Sequence, residues 1–578
     1  MNDLLSLIKK DLTSLIEKLF NEDVIKNNIS NKLTIDYNSK SKQGDLSSNL
    51  LFILKGQILN KSFNINEYVE NYLSNLEYIE TIDIHKAGFV NIILTKDYIS
   101  NYLNKIYILE NIYTKTNKQK INLEFVSANP TGPIHIAHLR GAVLGDVLSS
   151  ILERIGHEVT REYYVNDAGS QITILGNSLF KRYQELCGKN IQFLDGEYPG
   201  NYLIEIAKEI KNLDNEKWLS VKDSNEVQSY FEQYAVKYLI KKIKDDLLLL
   251  NIKFDQFTFE SEIVKNNLID KVFSILKDKN LIYEGILEKP LTVDTEDWEP
   301  RKQLLFRSTT FSDDNDRAFQ KSNGEWTYFA NDAAYHFDKY KRGYDKLINI
   351  WGADHIGYIK RMVSIVDVFS NKKEYLKVIV CQIVRLFKNN QLLKISKREG
   401  NFVTLQEIYK QVGKDPLRYF MISTKNETPM DFYMDKVVEK NKDNPVFYCQ
   451  YAYARASSVI NNAKKLSNID ISKINFKDFD KLSISKFEWD IILKLISWPY
   501  ILQEAASTMQ PHKLTNYLED LCSNFHVFWN KGKDDSSLRM LDENNITSTI
   551  SRIIWIQSFR NILKEVFTII DISFPENM

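Results

Sequence analysis

Two histidines, His135 and His138, stand three residues apart at the start of a helix-like run and can share one face of its first turn. A helix N-terminus presents unpaired N–H groups and a partial positive charge. Imidazoles at that point add further N–H donors, and the combination suits a phosphate chain. A second segment, Lys394-Ile395-Ser396-Lys397-Arg398-Glu399-Gly400-Asn401, gathers cations beside a glycine. Alone it reads as a solvated basic loop. Tyr328 and Asp332 lie four apart, so on a helix they face one direction. Asp332 can equally be a helix N-cap. The cluster Asp313-Asp314-Asp316 suggests a cation, but a polar turn is the better reading.

These groups need a frame. Glu124-Phe125-Val126 ends an apolar strand, and Pro130, Gly132 and Pro133 cannot continue it. From 139 to 152 apolar residues recur at helical spacing. Ala137, Gly141, Ala142 and Gly145 leave room for a ligand or a strand to approach that helix closely. The competing reading is a strand–helix packing corner with two incidental histidines. Strand 121–126, helix 135–155 and strand 159–165 make a β-α-β unit, which implies a parallel sheet with a right-handed crossover. Further strands are expected at 346–351 and 377–383. Their C-terminal ends carry Asn129, Asn166-Asp167 and Gly352-Ala353-Asp354-His355, and open α/β sheets bind ligands at that edge.

The alternation of strands and helices spans about 118–425, interrupted by a Lys- and Glu-rich helical stretch at about 200–285. Residues 1–115 form a first unit, with an amphipathic helix at its start, a turn at Gly44-Asp45 and a strand at 88–94. From about 430 the strands stop, and 444–466, 484–508 and 548–571 read as long helices, so an all-helical domain is expected over 430–578. Tyr448, Tyr451 and Tyr453, with Arg455, can stack on unpaired bases. A helix core is the favoured reading of that stripe.

The 578 residues suffice for about three or four domains. No apolar run reaches the ~18 residues of a membrane span, and acids interrupt the first 20 residues, so an amphipathic helix rather than a signal peptide is expected there. The four cysteines are far apart with no Cys-x-x-Cys pair, so neither a disulfide framework nor a zinc knuckle is expected. Lys+Arg and Asp+Glu are equal at 76 each, so any nucleic-acid partner must be held by local basic surfaces.

Taken together, the two signatures resemble those of class I aminoacyl-tRNA synthetases. His135-Ile136-Ala137-His138 resembles the HIGH pattern with Ala137 in place of glycine, and Lys394 to Arg398 resembles KMSKS with Ile395 for Met and Arg398 for Ser. The chain is identified as a member of the bacterial or organellar arginyl-tRNA synthetase family by Phe125 to Arg140, Tyr163 to Gly169, Thr327 to His336, Trp351 to His355 and Asn444 to Ala452. Gly44 to Asn49 and Ser573 to Met578 extend the resemblance to both ends, and Tyr453 stands where a His is usual.

The resemblance implies a Rossmann-type parallel-sheet catalytic domain, a small N-terminal α/β domain that touches the tRNA elbow, and a helical anticodon-binding domain. It implies a ligase that joins L-arginine to ATP as an adenylate, then passes arginine to the 3′ end of tRNA(Arg). His135, His138, Lys394 and Lys397 would stabilise the phosphates. Pro130, Gly132, Gly352, Asp354, His355 and Ser396 would line the ATP site. Tyr328 and Asp332 would receive the guanidinium, with Glu124 as a further carboxylate, and Ser127 and Asn129 would bind the α-amino and carboxylate ends. The role of His336 is open between site and buried structural histidine. ATP would bring Mg²⁺ on its own phosphates, without zinc. A cytoplasmic monomer with no membrane partner is expected, and family members typically activate arginine only with tRNA bound. The rivals are a zinc-using cysteine-type synthetase, a small nucleotidyltransferase, and a tRNA-binding paralogue without catalysis.

Overall fold

The computed structural model describes residues 4–38, 44–109, 112–113, 117–287, 300–311, 313–393, 403–466, 476, 479 and 482–578. They fall into two compact units, one spanning Asn117–Val438 and one made of both chain ends, Met1–Thr116 with Glu439–Met578.

The first of these units is organised on a five-stranded sheet: β1 (Lys120–Glu124), β2 (Glu158–Val165), β3 (Gln256–Phe259), β4 (Lys346–Gly352) and β5 (Leu376–Cys381). The spatial order is β5-β4-β1-β2-β3 and every pairing is parallel. Such a sheet reverses direction of progression between β1 and β4, and that crevice at the C-terminal ends is where ligands bind. The expected strands at 121–126, 159–165 and 346–351 appear within a residue or two. The strand expected at 377–383 appears as β5, which ends at Cys381, and a separate strand, Val384–Lys388, follows it and pairs in parallel with Met430–Tyr433. Strand structure therefore continues past 430.

Helix α1 (Ile136–Arg154) crosses from β1 to β2. Of its two glycines, Gly145 allows a close approach, since a Cβ there would lie 2.2 Å from Cγ of Phe125, whereas a Cβ at Gly141 would meet nothing within 4 Å. The stretch 200–285 is helical over Tyr202–Asp214 and Ser224–Leu248, but residues 256–259 within it return to the central sheet as β3. Surrounding charge hides that four-residue alternation in the sequence. Helix α2 (Tyr328–Lys341) is capped by Thr327, whose side chain accepts from Ala330 N. Asp332 is therefore not the N-cap and is left for another role.

In the second unit, strands Ile35–Tyr37, Leu46–Ser48, Val90–Leu94 and Ile79–Ile84 form an antiparallel sheet in that spatial order. Helix Leu4–Asn21 buries Leu4, Leu5, Ile8, Leu12, Leu15, Ile16 and Leu19, the apolar face of the amphipathic pattern. Four long helices follow at the other end of the chain: Pro445–Ala463, Lys486–Thr508, His512–Asp534 and Ile546–Ile570. The third is additional to the expected set. The two chain ends are tied by buried polar contacts. Trp489 Nε1 donates to Asp45 Oδ1 at 2.7 Å, and Asp45 Oδ2 accepts from Leu94 N at 2.8 Å. Trp498 Nε1 donates to the Tyr113 hydroxyl at 3.0 Å, and Asn561 Nδ2 donates to Tyr107 O at 2.7 Å.

Candidate active site

The chain leaves β1 in an uncommon conformation. Val126 and Ser127 have φ of 67° and 37°, in the left-handed region that a β-branched residue avoids. Strain of this kind gathers at functional sites and persists where surroundings fix it. Here the Ser127 hydroxyl donates to Glu124 Oε1 at 3.0 Å and accepts from Tyr164 N at 3.0 Å, tying the turn to β1 and β2. Next in the chain, Asn129 joins an amide cluster, accepting from Asn166 Nδ2 at 2.6 Å and donating to Gln171 at 2.9 Å. Pro130 and Gly132 are buried in the turn before α1, and the Tyr202 hydroxyl donates to Thr131 O at 2.6 Å beside Gly132.

His135 is the N-cap of α1, and His138 completes a capping box. Ala137 N donates to His135 Nδ1 at 3.3 Å, and His135 N donates to His138 Nδ1 at 3.5 Å. A ring nitrogen that accepts carries no proton, so each neutral imidazole holds its proton on Nε2. The rings lie 4.0 Å apart between centroids. Backbone capping thus fixes both tautomers so that each histidine is an Nε2–H donor, the form that suits phosphate oxygens.

Lys394, Ser396 and Lys397 lie outside the described residues. The chain just beyond them returns to the first signature: Thr404 forms an antiparallel bridge with His135, and Leu405 N donates to Ile134 O at 3.0 Å. Thr404 then caps helix Leu405–Val412 in a second capping box with Glu407. Gly352 ends β4, and Asp354 and His355 follow it in a turn of 3-10 helix. Both side chains there are mostly exposed, with His355 Nε2 3.4 Å from Asp354 Oδ2.

A ring of carboxylates occupies the same sheet edge, and two of them are already committed. Lys339 Nζ pairs with Glu124 Oε2 at 2.5 Å, with both side chains buried, and also donates to Asn349 Oδ1 at 3.1 Å. Glu162 pairs with Arg342 at 2.8 Å, and against its burial the charge of Lys339, with Arg342, holds its carboxyl below the usual range. His336 is buried and structural. Its Nε2 accepts from Asn349 Nδ2 at 2.9 Å and its Nδ1 reaches Asp332 O at 2.7 Å, while burial pushes its pKa down to about 4, so it stays neutral.

Two carboxylates face the site with no cation paired to them among the described residues. Asp332 accepts from the Tyr358 hydroxyl at 2.7 Å, and burial, with Glu260 and Glu124 nearby, pushes its pKa up to about 7. Glu260 directly follows β3 and accepts from Asn331 Nδ2 at 3.0 Å, with its pKa also raised by burial. Such a pair is the natural receiver for a ligand cation, since a buried carboxylate without a positive partner is costly. Tyr328 opens α2 one helical turn before Asp332, with 70% of its surface exposed. Sequence reasoning missed Glu260 and Tyr358. The signal for Glu260 was available, as a carboxylate directly after the alternating run Gln256-Phe257-Thr258-Phe259.

Next to Asp167 and Ser261, a cavity of roughly 710 Å³ is also lined by Lys237, Lys241 and Lys244, which occupy one face of helix Ser224–Leu248. The carboxylates of the acidic run at 313–316 are taken up by protein partners, with Asp313 paired to Arg317 at 2.7 Å, Asp314 to Lys360 at 2.9 Å, and Asp316 accepting from Thr309 and Tyr283. Among the described residues, no group of three His, Cys, Asp or Glu side chains is placed to hold a metal ion, and no helix is long and apolar enough to cross a membrane. On the helical end of the chain, Tyr453 is 1% exposed and packs edge-on against Phe567 and Phe574, so it belongs to the core. Arg455 is stacked between Tyr451 and Trp529, at 4.1 and 4.7 Å from the ring centroids.

Three family models match the chain: "Arginyl tRNA synthetase N terminal domain" over residues 6–94, "tRNA synthetases class I (R), catalytic domain" over 102–441, and "DALR anticodon binding domain" over 449–578. The arginine–tRNA ligase of Ehrlichia ruminantium (strain Welgevonden) is 40% identical over 566 residues, covering 96% of this chain and 97% of that one. That of Wolbachia sp. subsp. Brugia malayi (strain TRS) is 37% identical over 576 residues, covering 99% and 100%. The structure of Thermus thermophilus arginyl-tRNA synthetase superposes with a TM-score of 0.72 at 18% identity, and that of Plasmodium falciparum arginyl-tRNA synthetase with 0.71 at 19%, each over the whole of both chains. At those identities the two structures speak for the fold.

Proposed function

The chain belongs to the arginyl-tRNA synthetase family, and from that membership we propose how its residues carry the reaction. The enzyme activates L-arginine with ATP and transfers it to the 3′ end of tRNA(Arg). In the first step an arginine carboxylate oxygen attacks the α-phosphorus of ATP and pyrophosphate leaves. In the second a terminal ribose hydroxyl attacks the adenylate carbonyl and AMP leaves. Neither step needs a covalent enzyme intermediate. Both need alignment and neutralisation of charge on phosphate oxygens.

The observation that carries the reading is a pair of carboxylates, Asp332 and Glu260, with no cation paired to them among the described residues, on the sheet edge that also holds the His135–His138 helix start. A guanidinium stays charged at every relevant pH and must find oriented acceptors when it leaves water. Asp332 receives it as a fork, Glu260 takes a further edge, and the Tyr328 ring covers it from the first turn of α2. Glu124 is already bound by Lys339 and Ser127, so it serves by setting the turn that presents Ser127 and Asn129 to the α-amino and carboxylate ends. The Nε2–H groups of His135 and His138 donate to the phosphates, joined by Lys394 and Lys397. Pro130, Gly132, Gly352, Asp354, His355 and Ser396 lie around the nucleotide. Mg²⁺ arrives on the ATP phosphates rather than in a protein cage.

Lys237, Lys241 and Lys244, beside the arginine pocket, suit the backbone phosphates of an entering single strand. The N-terminal unit would touch the tRNA elbow and the C-terminal helices the anticodon, with the enzyme acting as a cytoplasmic monomer. Boundaries near 115 and 430 would then separate binding from catalysis.

The test is ATP–pyrophosphate exchange with each of the twenty amino acids, with and without tRNA. Exchange with arginine alone among the amino acids, and only with tRNA, is expected. Exchange with arginine without tRNA would keep the enzyme and remove the coupling. No exchange from folded protein that still binds tRNA would mean a binding protein without catalysis.

A further inference from the structure

Tyr164 lies one residue before the end of β2, 5% exposed, with its ring stacked on Tyr335 at 3.9 Å and 16° between planes. Its hydroxyl is buried and has no hydrogen-bond partner among the described residues. That is unusual, since nearly all buried hydroxyls are paired. It is more unusual here because four carboxylates, those of Glu260, Asp332, Glu124 and Asp167, act on this phenol electrostatically, and a single hydrogen bond to any of them would satisfy it. Each is engaged elsewhere: Glu260 with Asn331, Asp332 with Tyr358, Glu124 with Lys339 and Ser127, Asp167 with Ser261. Tyr163, the neighbouring residue, shows the ordinary behaviour, donating to Ala128 O at 2.7 Å.

We infer that the Tyr164 hydroxyl is a further specificity-determining group for arginine, an acceptor held empty in the free protein and filled by a guanidinium N–H in the complex. The inference rests on the assignment of the guanidinium to the Asp332–Glu260 site. A guanidinium presents five N–H donors in a rigid fork. Two carboxylates that already hold protein donors have part of their acceptor capacity taken up, and a phenol oxygen supplies another acceptor. An ammonium has three donors on one centre and can be satisfied by the carboxylates alone, so it gains nothing from a third acceptor. An interaction absent from the free protein and formed only with the right side chain is how a site favours one substrate over another. The stacking on Tyr335 fixes the ring, so the oxygen is placed before the ligand arrives.

The test is Tyr164→Phe, which keeps the ring and removes one oxygen, measured in aminoacylation with tRNA. Loss of one hydrogen bond to a charged group is expected to raise KM for arginine about tenfold, with KM for ATP unchanged. Agmatine, which keeps the guanidinium and lacks the carboxylate, should weaken as a competitive inhibitor by the same factor. A hydroxyl serving structure alone would lower Tm when removed. Here Tm should hold or rise, because an unpaired buried hydroxyl is removed. Unchanged KM for arginine and unchanged agmatine inhibition would overturn the inference. Asp332→Asn, measured in parallel, separates the two readings. If it raises KM for arginine while Tyr164→Phe does not, the pocket stands and the role of Tyr164 falls. If neither variant changes it, the pocket assignment itself falls.

Discussion

Lys339 holds Glu124 through a 2.5 Å ion pair in which the lysine side chain is wholly out of water and the carboxylate nearly so. Removing one partner of such a pair leaves the other charge buried without compensation, at a cost of about 3–5 kcal/mol. Lys339→Met should therefore lower the thermal transition of the catalytic unit markedly. Adding Glu124→Gln to the same chain should recover much of the loss. A calorimetric scan of the two variants checks this, and equal losses in both would refute the pairing as the cause.

As the proposed receiver of the guanidinium, Asp332 should give arginine binding a proton signature. Its carboxyl is pushed up to about 7 in the empty protein from an ordinary 3.8. A bound guanidinium favours the ionised form, so binding near pH 6 should release close to one proton, and binding at pH 8.5 almost none. KM for arginine should rise about tenfold per unit as pH falls below 7. The sign for stability is the reverse. Because the folded value is raised, the empty protein loses stability as pH climbs from about 4 to about 7, where the unfolded chain is ionised and the folded one is not. Calorimetric titration in buffers of different ionisation enthalpy reads the proton count directly, and a buffer-independent heat at pH 6 would rule out Asp332 as the receiver.

The capping geometry separates the two nitrogens of His138. Nδ1 closes the helix start, and Nε2 is the nitrogen proposed to donate to phosphate. His138→Asn can keep the capping acceptor and loses the donor, so it should fold with little change in Tm while kcat falls about 10²- to 10³-fold, the usual size for losing one oxyanion donor. His138→Gln reaches the Nε2 position and should retain more activity than Asn at lower Tm. Equal kcat for both variants would remove the donor role.

Asp45 ties the two chain ends. It accepts from Leu94 N and from Trp489, and burial raises its pKa. Asp45→Ala leaves both donors without their acceptor, about 1–3 kcal/mol for each buried group. A lower first thermal transition, together with a shifted tryptophan emission, is the expected result. An unchanged melt would mean that water or another residue replaces the carboxylate.

Much of the catalytic unit was legible because its residues obey local rules. The Pro130-Gly132-Pro133 break marks the end of β1, and the spacing of His135 and His138 marks a helix start. What escaped depends on partners far away in sequence. Glu124 looks like a free substrate ligand until Lys339 is placed beside it, 215 residues later. β3 is four residues long inside a charged helical stretch, too short for its alternation to stand out. The helix at 512–534 carries His, Asn and Lys throughout, which blurs its apolar face. Whether Tyr448, Tyr451 and Tyr453 form a base-stacking stripe or a core depends on which helices pack against them, and for Tyr453 the answer is Phe567 and Phe574.

The joining of both chain ends in one unit has a consequence for synthesis. Residues 1–116 leave the ribosome first, yet the partners that cover Asp45, Tyr107 and Tyr113 reside at Trp489, Trp498 and Asn561 and emerge last. The contiguous stretch 117–438 holds its own core and can complete itself while translation continues. The N-terminal segment must wait with an unsealed surface for most of the time the message is read. A stalled or prematurely terminated ribosome would therefore release a chain with a finished catalytic unit and an exposed leading end, a substrate for chaperones or proteases rather than a half-working enzyme.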